Sequence, residues 1–217
     1  MICADIIGER SRLSPDRIAV VDVATGARLS YREMDQRASA CARAWLYGLG
    51  LKPGDRIGIL SGNRLEFLDA FFAAAKSGVI LVPLGTRLTA AELAVIVSDC
   101  GLSALVYGSD RAETVRELTT EIDVGRLVAL DGEGEDLAWE TVLASIGEGE
   151  YVPPVCRPDD PYCLLYTSGT TGRPLFERPA RARSLHVRRH TSGPTACNRK
   201  RSPPARLQST ASRAARE

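Results

Sequence analysis

The chain has 217 residues, 44 % of them apolar, with 28 Lys+Arg against 27 Asp+Glu. That composition is ordinary for a soluble globular protein and allows one domain or one and a half. It contains no unbroken apolar run long enough for a membrane-spanning helix, and Asp5, Glu9 and Arg10 interrupt any signal-peptide core. The six cysteines are scattered without a C-x-x-C pair, which argues for a reduced, cytoplasmic setting and against a zinc motif. The near-zero net charge conceals a split. Residues 1–174 carry 17 basic and 25 acidic side chains, whereas residues 175–217 carry 11 and 2. Two segments of different character are therefore expected, 1–174 and 175–217.

In chain order, the β-branched stretch Ile18 to Val23 predicts a strand. Ser30 and Glu33 form a capping box, ahead of a helical stripe at Met34, Ala38, Cys41, Trp45 and Leu49 that ends at Gly48 and Gly50. Lys52 to Asp55 is a turn. Arg56 to Leu60 is a buried strand. Asn63 and Glu66 suggest a second capping pair, before a helix carrying Leu68, Phe71, Phe72 and Ala75 and stopped by Gly78. Val79 to Val82 is apolar without alternation, as in a strand covered on both faces. Thr89 and Glu92 make another capping box, ahead of Leu93, Ile96 and Val97, with Gly101 as the stop. Ala104 to Tyr107 and Arg126 to Leu130 are strands, with a helix over Ala112 to Glu121 between them. Residues 147–161 read as a surface loop, and the acids between Asp131 and Asp136 as solvated. Tyr162 to Tyr166 is one more strand. Strands alternating with helices predict an α/β fold with a mainly parallel sheet and flanking helices. Trp45, Phe71 and Phe72 sit at core spacing.

The chemistry is concentrated where that last strand ends. Gly169 and Gly172 permit backbone conformations that aim several N–H groups at one anion, and Thr167, Ser168, Thr170 and Thr171 add hydroxyls. Such a loop suits a polyphosphate accompanied by a cation. It is not a Walker loop, because G-x-x-x-x-G-K-[ST] is absent.

In that context, Tyr166-Thr-Ser-Gly-Thr-Thr-Gly-Arg-Pro174 resembles the signature phosphate loop of the adenylate-forming superfamily, which includes acyl-CoA synthetases, peptide-synthetase adenylation domains and luciferases. The resemblance extends over residues 1–174: Pro15-Asp-Arg-Ile-Ala-Val-Val-Asp22, Leu29-Ser-Tyr-Arg-Glu33, Gly54-Asp-Arg-Ile-Gly-Ile-Leu60, Asn63-Arg-Leu-Glu-Phe67, Ala73-Ala-Ala-Lys-Ser-Gly78 and Val82-Pro-Leu-Gly-Thr-Arg-Leu-Thr89 follow the family's order. Within the superfamily the segment looks most like AMP-forming acyl-CoA synthetases of the fatty-acid or aryl-acid kind. The resemblance implies a carboxylic acid attacking the α-phosphate of ATP, with Mg2+ accompanying the nucleotide. An acyl-adenylate and pyrophosphate result, and a thiol, usually coenzyme A, then attacks the adenylate. It also implies that Thr167, Ser168, Gly169, Thr170, Thr171 and Gly172 embrace the ATP β- and γ-phosphates.

The pattern departs from the family after Pro174. Leu175 and Phe176 stand where the family has Lys-Gly. No aromatic-Gly-x-Thr-Glu stretch, no Thr-Gly-Asp and no lysine-bearing C-terminal lid follow. The expectation is a truncated N-terminal domain, inactive by itself, with no catalytic or metal residues of its own. The alternatives are a non-catalytic nucleotide-binding fragment and an adenylation domain that loads a carrier protein. Only five of the 43 residues from Leu175 onward are Val, Ile, Leu, Met, Phe, Trp or Tyr. That tail is expected to be disordered or the product of a frameshift. It has no interleaved aromatics, so no nucleic-acid partner is expected. His186 and His190, flanked by Arg188 and Arg189, are not expected to hold a metal. Apolar faces that strands beyond Pro174 would cover are expected to stay open and to favour aggregation.

Overall fold

A strand that is apolar on both sides needs cover on both sides, and the order of elements supplies it. The computed structural model describes residues 5–132, 136–144, 153–154, 156, 160–168 and 174–177, all within the unit Met1–His186. Helix α1 (Ile6–Leu13) begins at Asp5, whose Oδ1 accepts the Gly8 N–H at 3.0 Å. Strands β1 (Ile18–Val21) and β2 (Arg28–Ser30) form a two-stranded antiparallel ribbon. Helix α2 (Tyr31–Arg43) follows Ser30, which closes the expected capping box with Glu33. A π-helical turn over Ala44–Gly48 continues it. Strand β3 (Arg56–Leu60) leads to helix α3 (Leu65–Ser77), strand β4 (Ile80–Pro83) and helix α4 (Ala90–Cys100), the last with its Thr89–Glu92 capping box intact. Strand β5 (Ala104–Tyr107), helix α5 (Ala112–Glu121) and strand β6 (Arg126–Ala129) continue the alternation. The short β7 (Leu137–Ala138) and α6 (Trp139–Ala144) come next, then β8 (Leu165–Ser168) and β9 (Pro174–Glu177).

The central sheet has strand order β4-β3-β5-β6-β7, and every pairing in it is parallel. Its residues alternate between two cores with period two. Ile57, Ile59, Leu81, Ala104, Val106 and Val128 face one core, shared with α2, α3 and α6. Leu60, Ile80, Val82, Leu105, Tyr107 and Ala129 face the other, shared with α4 and α5. Each fully buried Val, Leu or Ile contributes about 1.5–3 kcal/mol, which is why neither face tolerates a polar residue. Gly58 is the one position in β3 where a side chain would not fit, since a Cβ there would stand 2.7 Å from Leu102 Cδ1. A smaller third cluster joins Ile7, Met34 and Ala38 under the β1–β2 ribbon. The stripe Met34, Ala38, Cys41, Trp45 and Leu49 is buried as its spacing predicts.

Several expectations need correction. Asn63 and Glu66 do not cap α3. The helix starts one residue later, at Leu65, with Arg64 as N-cap and no side-chain cap bond. The Arg64 guanidinium takes the Glu66 carboxylate instead, at 2.8 Å. The fully buried face of α3 is Asp69, Ala70, Ala73, Ala74, Lys76 and Ser77, while Leu68, Phe71, Phe72 and Ala75 are half-buried. Small residues let α3 approach α2 and the sheet closely, and the aromatics pack at the flank. There Phe71 makes edge contacts with Phe72 and Tyr162, with centroids 5.6 and 5.5 Å apart. The strand expected over Ile18 to Val23 stops at Val21 and belongs to the antiparallel ribbon, not to the parallel sheet. The acids Asp131 and Asp136 are bonded rather than merely solvated: Asp131 accepts from Ser109 and Arg64, and Asp136 from the Tyr107 hydroxyl. Burial, reinforced by that carboxylate, pushes the Tyr107 phenol up to about 12. Residues 175–177, read as the start of a patternless tail, are paired as strand β9. Most of 147–161, the remainder of the tail and both histidines lie outside the described residues.

Gly78 ends α3 at φ +72°, a left-handed conformation that L side chains adopt only with strain. Two charge networks fasten the helices. Lys76, almost wholly buried, reaches Asp35 of α2 at 2.6 Å and Asp5 at 2.9 Å. Arg37 of α2 grips Asp69 of α3 through two bonds, at 3.0 and 2.5 Å. Burial lifts the Asp69 carboxyl and Arg37 pulls it back. Removing the guanidinium would leave a buried acid without its cation. Arg37→Ala is therefore expected to lower stability by about 2 kcal/mol, discounted because Arg37 is itself partly exposed. Arg37→Ala/Asp69→Ala should recover part of the loss, as read by chemical denaturation.

Candidate phosphate-binding edge

The strand that delivers the Gly/Ser/Thr loop is placed by backbone bonds. The Leu81 N–H donates to the Tyr162 carbonyl at 2.9 Å, and the Leu164 N–H donates to the Leu81 carbonyl at 2.8 Å. Cys163 thereby forms a parallel bridge to Leu81 of β4. With Cys163 level with Leu81 and the strands parallel, residue 165 is level with Pro83, the last residue of β4. Backbone bonds to β4 are described at Tyr162 and Leu164, and beyond them the Tyr166 side chain turns to the last turn of α4. Cys163 and Leu164 are buried, so the segment is sealed against the core before it emerges.

Thr167 and Ser168 lie in β8, where Thr167 pairs with Leu175 and Ser168 with Pro174 of antiparallel β9. The five residues that join the two strands include Gly169, Thr170, Thr171 and Gly172, which lie outside the described residues. The strand expected over Tyr162 to Tyr166 instead spans Leu165–Ser168, so Thr167 and Ser168, read as the start of the loop, belong to β8.

Around the carboxyl edge of the sheet stands a rim that the sequence did not reveal. Strand order reverses between β3 and β5, and such reversal points are where open α/β sheets bind ligands. The loop after β3 contributes Ser61, which is buried, and Arg64. The loop after β5 contributes Ser109, and the residue after Leu130 contributes Asp131. Asp131 accepts the Ser109 N–H at 2.7 Å and pairs with Arg64 at 2.9 Å. Arg111 donates to the Thr86 carbonyl, after β4, at 3.0 Å. These bonds tie the loops following β3, β4, β5 and β6 into one frame. Arg64 is already shared between Glu66 and Asp131, so it braces the rim rather than waiting for an anion. The pairs span dozens of residues and leave no short-range spacing to read. The available signal was only that polar residues cluster just after each predicted strand.

On the sheet's edge beyond the loop, the Tyr166 hydroxyl donates to Asp99 of α4 at 2.6 Å. Among the described residues no group of three or more His, Cys, Asp or Glu side chains stands together as a metal site. Nor is any described helix long and apolar enough to cross a membrane.

A parallel sheet covered on both faces and followed by the β8–β9 ribbon defines an α/β protein. The family described as AMP-binding enzyme matches residues 8–174, and the chain belongs to it. The long-chain-fatty-acid–CoA ligase FadD13 of Mycobacterium tuberculosis is 35% identical over 169 residues, covering 78% of this chain and 33% of that protein. The salicyl-AMP ligase / salicyl-S-ArCP synthetase of the same organism is 37% identical over 180 residues, covering 78% and 31%. Among solved structures, the N-terminal domain of FACL13 from M. tuberculosis superposes with a TM-score of 0.70 at 33% identity, covering 81% of this chain and 43% of that domain. The chain thus spans about a third of the length of these relatives. Its α/β fold is that of the first part of an adenylate-forming enzyme's N-terminal domain.

The rim makes a pH prediction. The Ser109 N–H, then Arg64, hold the Asp131 carboxyl below the usual carboxylate range. A depressed acid contributes stability that is complete above its unfolded pKa, about 3.9, and is lost as pH falls through the lower folded value. Asp131→Asn is therefore expected to melt below the unaltered chain at pH 7, with the gap narrowing as pH falls below about 4. A gap independent of pH in thermal melts would rule this brace out.

Proposed function

We propose that residues 1–174 are the part of an AMP-forming acid–thiol ligase that receives the phosphates of ATP. The parent reaction is ATP + carboxylic acid + CoA to acyl-CoA + AMP + pyrophosphate. The observation that supports the reading is the pairing of residues 162–164 with Leu81, which leads the chain along β4 into the Thr167–Gly172 motif. Such a motif fits a polyphosphate: its two glycines and four hydroxyls supply donors without adding negative charge. Thr167, Ser168, Gly169, Thr170, Thr171 and Gly172 would hold the β- and γ-phosphates. Mg2+, when bound, would neutralise phosphate charge as the α-phosphate is attacked, and it would arrive with the nucleotide. The relatives named as fatty-acid and feruloyl CoA ligases support a carboxylic acid as the second substrate and coenzyme A as the acceptor. The salicyl-S-ArCP synthetase favours a second reading, in which the acceptor is a carrier-protein thiol. Free thiols at Cys41, Cys100, Cys156 and Cys163 support a reducing, cytoplasmic setting.

The 217-residue polypeptide itself is proposed to bind ATP without completing the reaction. The adenine, ribose and lysine motifs of the family do not occur in it. Residues 175–217 are proposed to form a separate, basic segment whose sequence left the family's reading frame after Pro174. The end of the family match at residue 174 supports that boundary.

Calorimetric titration with Mg·ATP, paired with an assay of acid-dependent pyrophosphate release, tests both halves. Expected are measurable ATP binding and no pyrophosphate. Release of pyrophosphate would overturn the inactivity, and absence of binding would overturn the phosphate-loop assignment. Leu175 pairs with Thr167 across the ribbon, so a lysine at 175 would start beside the loop. Leu175→Lys is expected to tighten ATP binding about tenfold, the effect of one charge-assisted bond.

A further inference from the structure

Asp99 is in the wrong place for helix stability. It lies in the last turn of α4 (Ala90–Cys100), which has no basic residue there, and a carboxylate at a helix C-terminus opposes the helix dipole. A residue that breaks a local rule has a reason elsewhere. The described contact of this carboxylate is the Tyr166 hydroxyl, which donates to its Oδ2 at 2.6 Å across 67 residues of sequence. The hydroxyl also lies against the Cys100 thiol, while the ring packs on the α4–α5 core. Tyr166 immediately precedes Thr167.

The ties of the β8–β9 ribbon to the sheet make this contact decisive. Backbone pairing with β4 is described at Tyr162 and Leu164. Past that point, β8 is bonded to β9, a partner that shares any motion of the ribbon. Two strands alone are marginally stable in water. The side chain of Tyr166 is thus the described link between the emerging ribbon and a rigid helix.

We propose that Tyr166 is a positioning residue, which through Asp99 sets how the β8–β9 ribbon stands against the sheet and so presents the nucleotide-binding loop. The proposal rests on the phosphate-loop reading above, and its test separates the two. In the full chain, Tyr166→Phe keeps the ring and removes the bond, and Asp99→Ala removes the acceptor. The first readout is amide hydrogen exchange without nucleotide. Either variant should speed exchange in residues 165–168 and 175–177 about tenfold, as loss of one bond to a charged group allows, with β3 and β4 unchanged. The double variant should be no faster than the single ones, because both remove the same bond. The second readout is the Kd for Mg·ATP, expected to weaken about fivefold in either variant, again without addition. Unchanged exchange in the ribbon, equal acceleration in β3 and β4, or loosened exchange with an unaltered Kd would each overturn the positioning role. If the unaltered chain binds no ATP, the phosphate-loop reading falls and the proposal with it, while the exchange data still decide whether Tyr166 anchors the ribbon.

Discussion

Leu81 carries the constraint on which the arrangement depends. It lies in β4 at the edge of a sheet buried on both faces, with its side chain fully enclosed. Its inward neighbour is β3, and its outward N–H and carbonyl are both taken by the segment 162–164. Unpaired backbone groups at such an edge would cost stability or attract another strand. Closing the edge with the chain's own later segment solves that problem. It also sets the direction in which the chain enters β8, because the pairing at Leu81 is parallel.

What the sequence disclosed depended on how local the cause was. Ser30 with Glu33 and Thr89 with Glu92 each contain both halves of a cap within four residues, so the pattern suffices. Asn63 with Glu66 has the same spacing and fails, because Arg64 lies between them and claims the glutamate. The apolar runs of β3 and β5 announce strands without help from the rest of the chain. The β1–β2 ribbon is different: Arg28–Ser30 is a strand only because Ile18–Val21 is there to pair with it. The site divides in the same way. Thr167 to Gly172 is a contiguous motif, so it stands out in the sequence. Arg64–Asp131 and Tyr166–Asp99 join distant residues, so nothing in either neighbourhood marks them.

Strand β9 shows that backbone and chemistry can part company within a few residues. Leu175, Phe176 and Glu177 pair with Thr167, Tyr166 and Leu165 although the family's lysine is missing at 175. Ladder hydrogen bonds come from the main chain, which every residue but proline supplies in full, so the ribbon survives a change of sequence. A cation beside phosphate oxygens depends on one side chain and does not survive it.

Lys76 carries an implication for the order in which the protein assembles. Its ammonium is nearly out of water and is shared by Asp35, 41 residues earlier in the chain, and by Asp5, 71 earlier. A charge so enclosed is tolerated only once its counter-ions are in place. The α2–α3 pair brings Asp35 and the Arg37–Asp69 clasp together over shorter loops than α1 must close, and closing a longer loop costs more chain entropy. Helix α1 is thus expected to dock late, on an existing two-helix platform.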